Sequence, residues 1–415
     1  MYRAPRGTTD ILPQEQPFWR FIEQKAARIC ELYGYERIDG PTFEDTGLFA
    51  RSVGEATDIV QKEMYTFEDR GGDKVTLRPE GTASVCRAYL QHGMHNWPQP
   101  VKLYYRASLF RYERPQAGRF RQHSQFGCEA IGNGDPALDA EVIDMAWQFF
   151  QSLGLGQLSL QLNSIGCKQC RPGYIVVLRD YYAEYTAGLC PDCRTRLKRN
   201  PLRLFDCKNQ SCQQVSSSAP RSIDHLCPQC ETHFAQVKRY LKLLGLPFEL
   251  DNRLVRGLDY YTRTVFEIQP KEEGAQSALG GGGRYDDLIE ELGGKPTPAI
   301  GFATGLERMV LNLKKQNISV PPLPHPQVFM AHIGDEARDE VVKLASQLRH
   351  SGIGVIEASG SRSLKAQLRQ ANSLGVHYAV IIGEQEVNTS AVILRDMSSA
   401  QQETIPLTRL QQRLQ

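Results

Sequence analysis

Residues 104–129, YYRASLFRYERPQAGRFRQHSQFGCE, combine cations, carboxylates and an amide at spacings that could do chemistry; the stretch 101–130 holds six Lys or Arg and two Glu. Apolar and polar residues alternate on either side of a loop with Pro115 and Gly118, as in two antiparallel strands joined by a long loop. Arg111 and Glu113 are two apart on the first strand, so both face one way, and Gln125 and Glu129, four apart on the second, share a face. One sheet face would then present cations for phosphates beside a carboxylate and an amide for a polar substrate. A solvated charged hairpin has the same composition, so the rest of the chain has to decide.

A second chemistry lies in the thiols. Of eleven cysteines, Cys30, Cys86 and Cys128 are scattered and eight fall between residues 167 and 230. Cys167/Cys170, Cys190/Cys193 and Cys227/Cys230 are C-x-x-C pairs, and Cys207/Cys212 have four residues between them. Such pairs suit tetrahedral zinc, usually two pairs to an ion. Two four-cysteine sites, or one site plus unused thiols, are equally compatible with the spacing. Gly280–Gly283 lacks the Gly-Lys-Ser/Thr ending of a phosphate loop and opens no obvious helix. It reads as a break that lets backbone approach a substrate closely, beside Arg284 and Tyr285. There is no dinucleotide fingerprint at a strand-to-helix turn and no HEXXH metalloprotease motif.

The elements that must position these residues are those of a multidomain globular protein. A length of 415 residues implies two or three domains, and 41% hydrophobic with 23% charged residues is ordinary for such a chain. A net charge of +2 excludes a whole-chain basic coat, so any nucleic-acid surface must be local. No window approaches 18 apolar residues, and the start MYRAPRGTTDILP has no apolar core of a secretory signal. A cytoplasmic protein without membrane attachment is the expectation, and it favours metal binding over disulfides.

Helical spacing predicts helices over residues 17–33 and 81–92, and over a segment opened by Asp135-Pro136. Strands are expected at 64–67, 75–77, 101–106, 108–113, 158–162 and 260–268, and a strand-to-helix passage at 300–311. The cysteine-rich piece interrupts this pattern, and a helix at 231–244 returns the chain to the main body. Four prolines (Pro321, Pro322, Pro324, Pro326) stiffen a linker within residues 312–327. Beyond it, strands at 328–333, 353–357, 378–382 and 391–394 alternate with helices at 335–350 and 363–374, a small α/β domain.

The order of motifs resembles the class II aminoacyl-tRNA synthetases in their histidyl-tRNA synthetase form, over nearly the whole chain. TLRPEGT (76–82), FRYERPQAGR (110–119), NSIG (163–166), NPLR (200–203), LVRGLDYYTRTVFE (254–267), GGRYDDL (282–288) and GFATGLERM (301–309) follow that family's sequence of segments. Pro41 and its surroundings resemble motif 1, residues 104–129 motif 2 and GFATGLER motif 3. The resemblance implies an α+β catalytic core of antiparallel sheet and flanking helices over 1–325. A cysteine-rich, helical insertion at about 167–245 would interrupt it, and an α/β anticodon-binding domain would occupy 326–415.

It further implies a ligase that joins histidine to the 3′ end of tRNA(His) through histidyl-adenylate, with ATP as its magnesium complex. Arg111, Arg256 and Arg308 match the catalytic arginines. Arg111, Glu113, His123 and Arg308 match ATP contacts; Glu80, Thr82, Gln125, Glu129, Arg256, Tyr260 and Tyr261 match the histidine site. Arg114 and Gln116, in the motif 2 loop, match contacts to the acceptor end. His123 departs from the pattern: the family commonly has a Phe there, stacked on adenine, and an imidazole has less area and can be protonated. Zinc is not part of the family mechanism, so the eight cysteines are expected to hold structural zinc, stiffening an insertion that approaches the tRNA acceptor arm. Arg362, Lys365 and Arg369 share a helix face that could meet phosphates. A twofold homodimer is implied as well. The alternative within the resemblance is a non-catalytic relative, the regulatory subunit of ATP phosphoribosyltransferase. That relative usually lacks the C-terminal domain and departs at the arginine of RGLDYY, whereas this chain has Arg256 and residues 326–415.

Overall fold

The strand that begins the Arg-rich segment alternates buried and half-exposed residues from Val101 to Phe110, because one of its faces closes a core and the other faces a helix or solvent. It belongs to an eight-stranded sheet. In chain order the strands are β1 (Glu36–Arg37), β2 (Val101–Phe110), β3 (Gln122–Ile131), β4 (Leu158–Ser164), β5 (Glu249–Leu250), β6 (Thr262–Pro270), β7 (Gly280–Arg284) and β8 (Ala299–Gly305). They lie side by side as β1-β2-β3-β8-β7-β6-β4-β5. Only the two edge pairs, β1 with β2 and β4 with β5, are parallel. The computed structural model describes residues 2–54, 57, 59–115, 118–271, 278–360 and 362–415. These form two compact units, Met1–Pro321 and Pro322–Gln415.

In the first unit, helices α1 (Gln16–Tyr33), α2 (Thr82–Gln91) and α3 (Pro136–Ser152) flank the sheet. Helix α1 stops at Gly34, whose φ of 72° is the left-handed cap that glycine adopts without strain. Helix α3 starts where Asp135 accepts the amide of Ala137 and Pro136 takes the first helical position. Its Phe149 packs on Phe126 of β3, ring centroids 4.9 Å apart, and Phe126 meets Phe302 of β8 edge-on at 5.7 Å. A small three-stranded sheet, Phe43–Asp45, Lys74–Leu77 and Tyr65–Glu68 in that order, lies before α2.

The cysteine-rich segment folds as three short helices, α4 (Arg171–Glu184), α5 (Pro191–Arg199) and α6 (Gln210–Ser217). They enclose a miniature core of Tyr174, Leu178, Tyr182, Leu189, Leu202 and Leu204 with Cys193, Cys207 and Cys212. Helix α7 (Pro228–Leu243) then buries Phe234, Val237 and Leu241 in the main core. It begins earlier than helical spacing alone suggests, because Cys227 stands at the N-cap and Pro228 at the first turn. Strand β8 runs directly into α8 (Leu306–Lys315).

Two expectations about the sheet are corrected. Residues 108–113 are not a second strand: β2 is continuous through Ala107 and ends at Phe110. The Glu113 amide bonds to the Arg111 carbonyl at 2.7 Å, so the chain turns just before Pro115. Arg111 and Glu113 therefore lie beyond the strand, not on one of its faces. Gly280–Gly283 is not a break but most of β7, paired on both sides. Glycine weakens strands on average, yet a side chain is what this strand cannot hold. A Cβ on Gly281 would stand 2.6 Å from the Phe266 carbonyl and 2.8 Å from the Arg256 guanidinium, and one on Gly282 would overlap the Gly301 carbonyl.

The second unit is a five-stranded sheet of β9 (Val328–His332), β10 (Val355–Glu357), β11 (Tyr378–Ile382), β12 (Ala391–Asp396) and β13 (Gln402–Pro406), ordered β10-β9-β11-β12-β13. Helices α9 (Asp335–His350) and α10 (Leu364–Ser373) connect its parallel part. Strand β13, mostly polar and exposed at the sheet edge, carries too little hydrophobic pattern to be read from sequence. Both faces of the sheet are covered by apolar side chains of the unit itself.

Candidate active site

One cleft of about 320 Å³ opens over the middle of the large sheet, lined by residues from β3, β6, β7, β8, the start of α2 and the start of α8. It gathers all eleven described side chains named for histidine and ATP: Glu80, Thr82, Arg111, Glu113, His123, Gln125, Glu129, Arg256, Tyr260, Tyr261 and Arg308. Arg114 is exposed outside the cleft lining, and Gln116 lies outside the described residues.

The deep end is carboxylate and phenol. Glu129 on β3 is 1% exposed. Its two oxygens accept the Thr82 hydroxyl at 2.7 Å and the Tyr285 hydroxyl at 2.5 Å. Burial pushes its carboxyl up to about 8, against the pull of these two donors. Glu80 is spent largely on architecture: its oxygens accept the amides of Thr82 and Ala83 at 2.7 Å each, capping α2. Burial raises its pKa as well. Tyr260 stacks obliquely on Tyr261, centroids 4.7 Å apart, and meets Tyr285 edge-on at 5.7 Å. These three rings wall the space beside Glu129.

The cations come from three directions. Arg111 donates through Nε to the Pro79 carbonyl at 2.7 Å, leaving its terminal nitrogens toward the cleft, 3.9 Å from Glu113. Arg308, a turn into α8, donates to the Ala278 carbonyl at 2.7 Å. Arg256 pairs with Glu267 of β6 at 2.7 Å, and its buried Nε has no partner among the described residues. Such a donor invites a ligand acceptor. His123, opposite Leu109 in the β2–β3 pairing, stands among them. Burial, then the charges of Arg111 and Arg308, hold its imidazole down to about 3. It therefore stays neutral and can stack on a base without adding charge.

This is a site that can align a polar, nitrogen-bearing small molecule against a polyphosphate. The family model described as histidyl-tRNA synthetase matches residues 7–169 and 210–309, more than half of the chain. An anticodon binding domain model matches residues 327–415. A histidine–tRNA ligase of Dehalococcoides mccartyi is 63% identical over 410 residues, covering 99% of this chain and 98% of that protein. One of Desulforamulus reducens is 51% identical over 406 residues, 98% and 97% of the two chains. The crystal structure of apo S. aureus histidyl-tRNA synthetase superposes with a TM-score of 0.84 at 39% identity, covering 100% of both chains.

The chain belongs to the histidyl-tRNA synthetase family.

Several residues that shape this histidyl-tRNA synthetase cleft are not evident from motif spacing. Tyr105 of β2 slides its ring across Gly81 and Gly127, where a Cβ would collide with it, and its hydroxyl reaches Gln125 at 3.1 Å. Tyr285, just past β7, holds Glu129, and Glu267 of β6 holds Arg256 on its loop. Glu307 Oε1 accepts the Ser124 amide at 2.7 Å and so fixes the start of α8 against β3. Below the cleft Asp139 of α3, fully buried, collects Arg284 at 2.6 Å, His233 of α7 at 2.7 Å and Thr264 of β6 at 2.7 Å. No local pattern in the sequence points to Tyr105, because Gly81 and Gly127 meet its ring only across the fold.

The eight cysteines, which sequence leaves unpaired, separate into two quartets. Cys167, Cys170, Cys227 and Cys230 form one, Cys190, Cys193, Cys207 and Cys212 the other, each with all four sulfurs within 4.8 Å of one another. Either set could hold a metal ion. The family match skips residues 170–209, where Cys170, Cys190, Cys193 and Cys207 lie.

Proposed function

We propose that this chain activates L-histidine with ATP to histidyl-adenylate and pyrophosphate, then transfers histidine to the 3′ end of tRNA(His), releasing AMP. The observation that supports the reading is the make-up of one cleft in this histidyl-tRNA synthetase family member. A buried carboxylate walled by phenols and three arginines from separate elements line the same space.

The substrate carboxylate is ionised at neutral pH and needs no general base to attack the α-phosphorus. What the chain supplies is alignment and neutralisation of charge on the phosphate oxygens. In this reading Arg111 and Arg256 flank the α-phosphate, and Arg308 meets the adenine and γ-phosphate. Glu113 and neutral His123 help seat the nucleotide, which arrives as its magnesium complex. Arginine suits the task because its charge is permanent and its donors are forked. Glu129 and Tyr261 bond the imidazole nitrogens, with Tyr260 beside them. Glu80, Thr82 and Gln125 face the α-amino group. A substrate lacking the ring nitrogens would leave Tyr261 and the remaining lone pairs of Glu129 without a ligand partner, which gives discrimination without editing.

Arg114 and Gln116 are assigned to the acceptor end, and the 326–415 region to the anticodon arm, with Arg362, Lys365 and Arg369 toward phosphates. We further assign a core of 1–325, an insertion at 167–245 with structural zinc, a twofold homodimer and work in the cytoplasm. Among the described residues no helix is long and apolar enough to cross a membrane.

Histidine-dependent exchange of pyrophosphate into ATP tests the central claim. Exchange with histidine and none with other amino acids is expected. A chain that binds histidine but gives no exchange would instead be the non-catalytic regulatory relative.

A further inference from the structure

The loop that brings Arg256, Tyr260 and Tyr261 into the cleft has no regular structure of its own: residues 251–261 are neither helix nor strand. Something outside it must hold it. Two arginines do, and both come from the cysteine-rich segment. Arg171, the residue after Cys170, donates to the Ile165 and Gly166 carbonyls at 3.3 and 3.1 Å and, in a short bond, to the Tyr261 carbonyl. Arg203, in the turn Pro201–Leu204 between Cys193 and Cys207, donates to the Arg256 carbonyl at 2.7 Å and to Asp259 at 2.6 Å. Asn200 adds a bond to the same Asp259 oxygen at 3.1 Å. Val255 packs against the segment's miniature core.

That core is too small to order these arginines by burial alone, since domains of this size generally need a metal or cross-link. The sulfur geometry supplies one. In the first quartet Cys167 lies 3.8 Å from Cys170 and 3.9 Å from Cys227, and Cys170 lies 3.8 Å from Cys230. In the second, Cys190 lies 3.9 Å from Cys207. A tetrahedron with metal–sulfur bonds of about 2.3 Å has edges of about 3.8 Å. A cluster placing several irons between the thiolates would hold them further apart. Backbone amides also point at the sulfurs: Gln169 at Cys167, 3.4 Å, and Asn209 at Cys207, 3.4 Å. Such donors stabilise thiolates bound to a cation. The first quartet joins the two ends of the segment and the second closes its interior.

We propose that each quartet holds one zinc ion, and that the two ions position the histidine-binding loop through Arg171 and Arg203. Zinc then takes no part in the chemistry and yet sets the affinity for histidine. Arg171 and Arg203 are positioning residues, acting on the backbone of Tyr261 and Arg256. The inference rests on the reading of that loop as the histidine wall.

The test uses the full-length chain purified without chelator. Metal analysis is expected to find two zinc ions per chain; fewer than about 0.3 per chain, or iron in place of zinc, would overturn the sites. Cys190→Ser with Cys193→Ser is expected to leave one ion and weaken histidine binding in calorimetry by about tenfold or more. Parental affinity in that one-ion protein overturns the coupling. Arg203→Ala provides an arm that leaves every cysteine in place. It should retain two ions, lose histidine affinity by about tenfold, and regain part of it as Arg203→Lys, which can pair with Asp259 but not span to the Arg256 carbonyl. Unchanged affinity in Arg203→Ala overturns the coupling. A parent chain with two zinc ions and no histidine binding would retain the metal sites, and would overturn both the coupling and the functional reading.

Discussion

Replacing Glu129 by Gln tests the deep end of the cleft through two independent readouts. In the ligand-free protein burial raises this carboxyl from the ordinary 4.5 to about 8. An unfolded chain ionises it near the lower value. Between the two values the folded protein keeps a proton that the unfolded chain has released. Stability from this group is therefore fully present below about 4.5 and falls as pH rises toward about 8. The fall is at most about 1.4 kcal/mol per pH unit. Glu129→Gln has no proton to lose and should flatten that decline. Scanning fluorimetry from pH 5 to 8 would show it as a smaller drop in the midpoint of the first unit, by roughly 2 °C per pH unit.

The second readout is substrate binding. The amide can still accept from Thr82 or Tyr285, but it offers no charge-assisted bond to a ring N–H. Losing about 1.5–3 kcal/mol should raise the histidine KM in pyrophosphate exchange roughly tenfold to a hundredfold, with the ATP KM unchanged. An unaltered histidine KM would remove Glu129 from the substrate site. An unaltered pH slope would mean that the carboxyl is ionised in the folded protein.

Three further substitutions probe other parts of the cleft. Arg256→Ala should lower adenylate formation by about 10² or more while calorimetry still detects histidine, because one charge-stabilising donor is typically worth that much; near-parental exchange would refute its assignment. Gly301→Ala places a Cβ on the Glu129 carboxylate and 2.5 Å from the Cys128 carbonyl, so kcat/KM for histidine should fall about tenfold or more in exchange kinetics. His123 has its pKa depressed to about 3 by burial and by Arg111 and Arg308. Unfolding frees it to take up a proton below about 6.5. Stability from this group is present above that value and is lost as pH falls through about 3, so His123→Phe should resist acid unfolding better than the parent, as followed by circular dichroism.

The parts of this architecture that announce themselves in sequence are those with a local rule. Asp135-Pro136 at a helix start is set by capping, and the structure follows it. The segments holding Arg111, Glu129, Tyr261 and Arg308 are recognisable as motifs, and the sheet brings all four to one cleft. What is not legible is decided across strands. Gly280–Gly283 reads as a break because glycine disfavours extended structure locally, while its place between β6 and β8 forbids any side chain. Tyr285 and Glu267 act through partners 156 and 11 residues away in the chain, and no local pattern marks the longer of these pairings. The pairing of cysteines is equally silent, since Cys167 meets Cys227 across 60 residues.

The glycines of β7 and β8 have a consequence for anyone wishing to change what the cleft accepts. A floor made of backbone is shaped by missing atoms: Gly281 and Gly301, which line the cleft, each face a carbonyl oxygen that a Cβ would strike. Selectivity therefore cannot be redesigned from below. It has to be rebuilt from the walls, at Gln125 and on the loop bearing Tyr260 and Tyr261, where side chains rather than strands give way.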